Sequence, residues 1–201
     1  MYRLSRLRYI FPLGLFISLF LDGSLSNVWA KLFFSYPYSM MSELVLLWLV
    51  LSYYFEEDIE IPLIPFAALA GIVFDVYFTG ILGLDIFLFP LIVELTKVLS
   101  RYFSQSFLTI IMIFFIDIVA FVTLTYWAYS LVGITHMNLG DYLVYTLAPT
   151  LALNLVYFVI LYWPIQAIYT WALTKKDLRK GLTKLIIKCR IHDNIKKRRT
   201  D

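Results

Sequence analysis

Two aspartates interrupt long apolar runs and are the residues of this chain best suited to chemistry. Asp75 lies in GIVFDVYFTG and Asp117 lies in FFIDIVAF. An acid in such a setting is costly, so it needs a proton, nearby water or a hydrogen-bond partner, and many such acids relay protons or contact ligands. A polar clamp between two helices is the structural alternative, and we favour it for both aspartates.

The two aspartates are not expected to form a catalytic pair. Counting residues along each helix at about 1.5 Å per residue separates them in depth by roughly ten ångströms or more. His136 falls in a predicted outer loop and His192 in the C-terminal tail, so they cannot share a site. Cys189 is the single cysteine, and the sequence has neither metal-ligand spacing nor a serine elbow motif. We therefore predict a protein that is not an enzyme and has no cofactor and no metal site.

The composition indicates a membrane protein. The chain is 61% hydrophobic and 15% charged, whereas soluble domains are about half apolar and about a quarter charged. Its apolar runs are long and continuous, unlike the short alternating segments of barrels. The sequence predicts an all-α membrane protein, a bundle of about six transmembrane helices. The predicted spans are 9–28, 39–55, 62–79, 82–100, 107–132 and 143–173.

The placement of basic residues predicts that both termini are cytoplasmic. Three arginines precede the first span, Lys97 and Arg101 close the fourth, and all other basic residues except Lys31 follow the sixth. Glu94 lies three residues before Lys97, a spacing that favours an ion pair. A signal peptide cleaved after Ala30 is the alternative, and it would leave five spans.

The C-terminal segment differs from the rest of the chain. We divide the chain into a polytopic transmembrane domain, 1–174, and a basic cytoplasmic tail, 175–201. Apolar residues of the tail recur at helical spacing between lysines, which is typical of an amphipathic helix on anionic lipid headgroups. A solvated tail that fixes topology is the alternative. Binding of nucleic acid is not predicted, because no aromatic residues interleave the charges.

Small residues accompany Asp75 on one helical face. Ala67 and Gly71 precede it by two turns and one turn, and small side chains let a second helix approach closely. Asp75 is therefore predicted to point into the bundle. We expect it either to clamp two helices together or to contact a partner or ligand.

A tight reversal follows Asp75. Gly80 fits a helix C-cap, and Gly83 allows the chain to re-enter the membrane. Asp85 then stands in the first turn of the next helix, where the helix dipole favours an anion. The predicted outer half gathers five acids, which we interpret as a solvated rim; attraction of a cation or a basic partner is the alternative. These acids are Asp22, Glu43, Asp75, Asp85 and Asp141, against Lys31.

Asp117 lies far from both ends of its predicted span. It should therefore face protein, and Asn154 or a tyrosine hydroxyl is its expected hydrogen-bond partner. Pro149 and Pro164 flank Asn154 and predict a bent sixth helix whose freed carbonyls need partners.

The ordered pattern resembles the MreD family of rod shape-determining membrane proteins of bacteria. The central block is AGIVFDVYFTGILGLDIFLFPLIV, and FFIDIVAF, APTLALNLVYFVILYWP and a long first loop with Pro37 support it. The resemblance covers most of residues 9–173. Members of this family have no agreed catalytic residues. The resemblance therefore gives residues of this chain a position in the family pattern but no catalytic role. The candidate helix-interface or partner contacts are Gly71, Asp75, Gly80, Gly83, Pro90, Asp117 and Asn154.

The resemblance implies a non-enzymatic, multi-pass component of the cell-elongation complex in the bacterial cytoplasmic membrane. The partners that it implies are an MreC-like membrane protein, the MreB cytoskeleton, RodA and a penicillin-binding protein. A different class also fits the architecture, because the chain is similar to the vitamin-binding subunits of energy-coupling factor transporters in length and span number. Gly14 and Ser18 of the first span would be the small-residue pair for docking on such a transporter.

Overall fold

Helices account for every regular element of the described chain, as the sequence predicts. The structure is a computed structural model, and it describes residues 7–55, 62–79, 83–103, 106–135 and 137–171. The predicted basic tail, 175–201, and Gly80 lie outside the described residues. The described helices, in chain order, are α1 Leu7–Val28, α2 Ala30–Phe33, α3 Leu44–Phe55, α4 Leu63–Phe74 with a following π turn Asp75–Thr79, α5 Leu84–Tyr102, α6 Phe107–Leu131, and α7 Leu139–Trp171, which contains a π turn Leu143–Leu147.

Three of these helices are long and apolar enough to cross a membrane, namely Tyr9–Val28, Phe107–Leu131 and Leu139–Trp171. α3 and Leu63–Phe78 are apolar but shorter. α5 has 19 residues but carries two acidic and two basic side chains. Each of the six predicted spans thus contains a helix, while the described residues support membrane-spanning length and composition for three.

The surface of the bundle is apolar, whereas many of its polar side chains are buried. Phe16, Leu108 and Ile160 are 69%, 71% and 61% exposed, while Asp75, Asp117 and Asn154 are 0% exposed. Soluble proteins rarely expose continuous apolar surface of this kind. The arrangement suits a bundle whose outer side chains contact lipid tails.

Exposed aromatic side chains lie near both ends of the bundle. Such rings favour the headgroup level of a bilayer, because they combine an apolar body with a polar edge. Trp29, Tyr77 and Trp127 lie near one end, and Tyr9, Tyr102, Trp163 and Trp171 lie toward the other.

α4 and α5 pack at backbone contact. A Cβ atom built on Gly71 would lie 2.3 Å from the carbonyl oxygen of Asp85 and 2.6 Å from the backbone nitrogen of Ile86. Ala67 and Ala70 on the same helix are also buried. The small face of α4 therefore receives α5, a neighbour within the same chain.

α1 and α3 pack through Trp48 of α3. Its indole ring covers Gly14, where an added Cβ would lie 1.9 Å from ring carbon Cζ2. The Trp48 Nε1–H donates a hydrogen bond of 3.1 Å to the carbonyl of Phe11. Gly14 is thus used for packing inside the chain.

Candidate functional site

A cavity of about 590 Å³ opens at one end of the bundle. At this end α1, α4 and α6 finish and α3, α5 and α7 begin, and we name it the acidic end. The cavity has apolar and aromatic walls, including Phe74, Phe78 and Phe121. The polar side chains that line it are Asp22, Ser26, Asn27, Ser42, Glu43, Tyr77, Asp85, Thr125 and Tyr129.

Asp22 of α1 caps the N-terminus of α3. Its Oδ1 accepts hydrogen bonds from the Ser42 hydroxyl at 2.6 Å and the Leu44 N–H at 2.9 Å, and its Oδ2 accepts one from the Val45 N–H at 2.9 Å. The first N–H groups of a helix have no partner within the helix, and the helix dipole favours an anion there. The buried Asp22 carboxylate is therefore stabilised by the start of α3.

Asp75 makes the same arrangement with α5. Its Oδ2 accepts hydrogen bonds from the Gly83 N–H at 2.7 Å and the Ile86 N–H at 3.4 Å, and its Oδ1 accepts one from the Asp85 N–H at 2.9 Å. Gly83 has a φ of 109°, a left-handed conformation that glycine adopts without strain. Asp75 thus joins α4 to the start of α5, directly beside the close approach at Gly71.

The start of α7 holds the segment 39–43 in place. Pro149 has no N–H, so the carbonyl of Tyr145, one turn earlier, lacks its helical partner. That carbonyl accepts a hydrogen bond of 2.8 Å from the Ser39 N–H. The Thr150 hydroxyl accepts another, of 3.1 Å, from the Met41 N–H. The expected partner for a carbonyl freed by proline is therefore present.

Asn154 completes the attachment of this segment. Its Oδ1 accepts a hydrogen bond of 2.9 Å from the Glu43 N–H, and its Nδ2 donates one of 2.8 Å to the Met41 carbonyl and one of 2.8 Å to the Thr150 carbonyl. These bonds fix the backbone that carries Glu43. They also explain why α3 begins at Leu44 rather than at residue 39.

Glu43 and Asp85 differ from the two capping aspartates. Each is 2% exposed, and each lines the cavity. Among the described residues, Glu43 Oε2 and Asp85 Oδ2 have no hydrogen-bond partner. Asp22 and Asp85 are also close enough to Glu43 to interact with it electrostatically. The cavity therefore contains two buried acids whose hydrogen bonding is incomplete.

The sequence of this chain matches the family model for the rod shape-determining protein MreD over residues 7–171. The chain belongs to the MreD family. Searches of curated proteins and of solved structures find no match. Proteins of the MreD family determine rod shape and function in a complex with MreC and MreB. The family is membrane-associated and is not known for enzymatic activity.

Asp117 of this MreD family chain lies away from the acidic end. Its Oδ2 accepts a hydrogen bond of 2.7 Å from the Thr96 hydroxyl, and the Ile92 carbonyl, 2.9 Å from the same Thr96 oxygen, is a second acceptor for that one proton. Asp117 Oδ1 and the Tyr54 hydroxyl are buried without hydrogen-bond partners among the described residues. The expected partner, Asn154 or a tyrosine hydroxyl, is wrong: Asn154 bonds the segment 39–43, and among the described residues the donor to Asp117 is the Thr96 hydroxyl of α5.

Asp75 and Asp117 are separated in this structure by most of α5. Asp75 bonds the N–H of Asp85, and Asp117 bonds Thr96. Those two positions on α5 are roughly 16 Å apart at about 1.5 Å per residue. The prediction that the two aspartates form no dyad agrees with this geometry.

The other candidate residues of the MreD pattern have distinct places. Gly71 contacts the backbone of α5, Gly83 immediately precedes its first residue, and Pro90 is half-buried inside it. The predicted ion pair is confirmed, since Lys97 Nζ lies 2.8 Å from Glu94 Oε1. No group of three Asp, Glu, His or Cys side chains in the described part of the chain is arranged to hold a metal ion.

The interpretation of the outer acids as a solvated rim is wrong for four of the five. Asp22, Glu43, Asp75 and Asp85 are buried, and Asp141 is exposed. Asp22 and Asp75 can be buried because N–H groups at the starts of α3 and α5 replace the hydrogen bonds that water would make. The sequence contained a signal for this burial. Asp22 ends one apolar run and Glu43 begins the next, and Asp75 and Asp85 are placed in the same way.

Proposed function

We propose that this chain is a non-enzymatic membrane scaffold of the bacterial cell-elongation complex, which directs peptidoglycan synthesis and cell shape. It crosses the cytoplasmic membrane six times with both termini in the cytoplasm. Its main partner is an MreC-like membrane protein, and MreB, RodA and a penicillin-binding protein belong to the same complex. The family match over residues 7–171 carries this proposal.

The distribution of polar groups supports a scaffold. Asp22, Asp75 and Asn154 use their side chains to fix helix starts and a connecting segment. Thr96 bonds Asp117 between α5 and α6. Polar contacts of this kind stabilise helix association in membranes. Most buried polar side chains of the described chain thus position helices.

The proposed topology places the acidic end outside and the Lys97 and Arg101 end inside. Basic residues favour the cytoplasmic side of a membrane. The basic tail, 175–201, would then lie beside the inner leaflet and bind anionic lipid headgroups. This arrangement puts the tail on the side where an MreB filament lies.

The structure disfavours the alternative of a transporter vitamin-binding subunit on one specific point. That hypothesis requires Gly14 and Ser18 to form an open docking face on the first span. Trp48 covers Gly14, and Ser18 is buried with its hydroxyl bonded to the Leu15 carbonyl at 2.8 Å. The small residues of α1 are therefore used within the chain.

The test is co-purification combined with cell shape. An affinity-tagged copy of the chain replaces the native gene, membranes are extracted in mild detergent, and bound membrane proteins are identified by mass spectrometry. We expect an MreC-like protein to co-purify, and cells that lack the chain to lose their normal ratio of length to width.

Surface variants then locate the partner. Alanine pairs on outward faces leave the internal packing intact, so a face that binds the partner should lose co-purification without a change in Tm. Glu94→Gln, at an exposed ion pair, is the control. Retained cell shape in the deletion strain, with no MreC-like protein bound to the wild-type chain, would contradict the proposal. The pairs are Phe16 with Phe20, Leu108 with Met112, and Val156 with Ile160.

A further inference from the structure

We propose that the cavity at the acidic end binds an organic cation, a guanidinium or ammonium group, between Glu43 and Asp85. This inference is independent of the scaffold function, because it rests on the cavity and its side chains alone.

The four buried acids at this end are of two kinds. Asp22 and Asp75 each accept hydrogen bonds from the first N–H groups of a helix, which stabilise a negative charge. Glu43 and Asp85 each have a carboxylate oxygen that no described donor reaches. Both of these residues line the cavity. Asp22 lines it as well, but its carboxylate bonds the start of α3, so Glu43 and Asp85 are the cavity-lining acids whose hydrogen bonding the described chain leaves incomplete.

A buried carboxylate oxygen without a donor is unfavourable, because burial removes its hydration without replacing it. Other acids lie close to both residues, Asp22 and Asp85 near Glu43 and Asp75 near Asp85, so negative charge at the site is unfavourable unless a cation compensates it. The ion pair within the described residues, Lys97 with Glu94, involves neither Glu43 nor Asp85. A cation from outside the described chain would supply both the charge and the donors.

The shape and walls of the cavity favour an organic cation. A volume of about 590 Å³ is typical of small-molecule sites, which span about 300–1,000 Å³. Phe74, Phe121 and Tyr129 provide aromatic surfaces, and cations bind over such rings. A guanidinium group presents several N–H donors in one plane and can bond two carboxylates. The described acids are not grouped to hold a metal ion.

The test uses the full chain in lipid nanodiscs with butylguanidinium and butylammonium as probes. Butylurea is the neutral control, since it has nearly the shape of butylguanidinium without the charge. Tm and calorimetric binding are measured at constant ionic strength, maintained with sodium chloride. We expect saturable binding and a raised Tm with at least one cation and no comparable effect of butylurea. Equal responses to the cations and butylurea, or no response, would overturn the proposal.

Charge-neutral variants assign the site. Glu43→Gln and Asp85→Asn keep the size of each side chain, and each should weaken binding by about tenfold or more, because each removes one charged hydrogen-bond acceptor. Glu94→Gln should bind as the wild type does. Unchanged affinity in a folded Glu43→Gln, Asp85→Asn double variant would place the cation elsewhere and refute the site. The probe comparison in wild-type protein tests the proposal even if a variant fails to fold.

The same chemistry has two sources, a basic side chain of a protein partner or a free small molecule. A capped apolar pentapeptide with a central arginine distinguishes them when it is compared with butylguanidinium. Tighter binding of the peptide assigns the site to a polypeptide, and tighter binding of butylguanidinium assigns it to a small cation. Binding of neither contradicts the proposal.

Discussion

The contact between α4 and α5 at Gly71 provides the most direct test of the fold. In Gly71→Ala, the new Cβ would lie 2.3 Å from the carbonyl oxygen of Asp85, 2.5 Å from its carbonyl carbon and 2.6 Å from the nitrogen of Ile86. These are backbone atoms of a helix, so no side chain can rotate away. The two helices must therefore separate by about 1 Å to reach ordinary contact distances.

That displacement affects the cap at the start of α5. The bond from the Gly83 N–H to Asp75 is 2.7 Å long, and a separation of about 1 Å extends it beyond hydrogen-bonding distance. Overpacking costs about 2 kcal/mol, and the weakened bond adds about 1 kcal/mol. A total of about 3 kcal/mol lowers Tm by about 6–12 °C for a chain of this size.

Two other glycines are controls that separate the physical causes. A Cβ on Gly140 would have no atom within 4 Å, so Gly140→Ala should leave Tm unchanged or raise it slightly. A Cβ on Gly83 also meets nothing within 4 Å, but its φ of +109° disfavours alanine by about 1–2 kcal/mol. We therefore expect the loss of stability to rank Gly71 first, Gly83 second and Gly140 last.

The assay is thermal unfolding in dodecylmaltoside, followed by intrinsic tryptophan fluorescence and checked by size-exclusion chromatography after heating. The reasoning is refuted if Gly71→Ala and Gly140→Ala have the same Tm within error. It is also refuted if Gly83→Ala lowers Tm the most of the three, because backbone strain at a positive φ would then outweigh the contact between α4 and α5.

Three further predictions use the same assay. Asp22→Asn should lower the free energy of unfolding by about 2–4 kcal/mol, since an amide nitrogen cannot accept hydrogen bonds from the N–H groups at the start of α3. Ser42→Ala removes one of the three bonds to Asp22 and should lower it by about 1 kcal/mol. Asn154→Leu should cost about 3 kcal/mol because it leaves buried backbone groups at Met41 and Glu43 unsatisfied, and an unchanged Tm would contradict this role. Asp117→Asn should keep Tm and normal cell shape, because the amide still accepts from Thr96; loss of shape with an unchanged Tm would instead indicate a proton-transfer role.

The sequence predicts the helical elements well because their apolar runs are long. It also predicts the small face of α4, since Ala67, Gly71 and Asp75 recur at helical spacing. The first-turn position of Asp85 follows from the glycine reversal before it. These features are local, and local spacing is what a single sequence records.

Pairing between distant segments could not be predicted in the same way. Asp117 is bonded to Thr96 rather than Asn154, because the rotation of α5 and α7 about their axes decides which polar group faces α6. The cap that Asp22 places on α3 depends on how the long first connection closes. A scattered set of acids in sequence thus becomes an ordered set at the acidic end.

The same arrangement occurs twice at that end, in α1 with α3 and in α4 with α5. An aspartate near the end of the first helix caps the second, Asp22 in one pair and Asp75 in the other. An acid at the start of the second helix, Glu43 or Asp85, then lines the cavity. Asp22 also lines the cavity, but the helix caps and the unpartnered carboxylate oxygens belong to different residues, so stability and cation binding should separate by mutation. Neutralising Asp22 or Asp75 should lower Tm, whereas neutralising Glu43 or Asp85 should weaken cation binding and keep the fold.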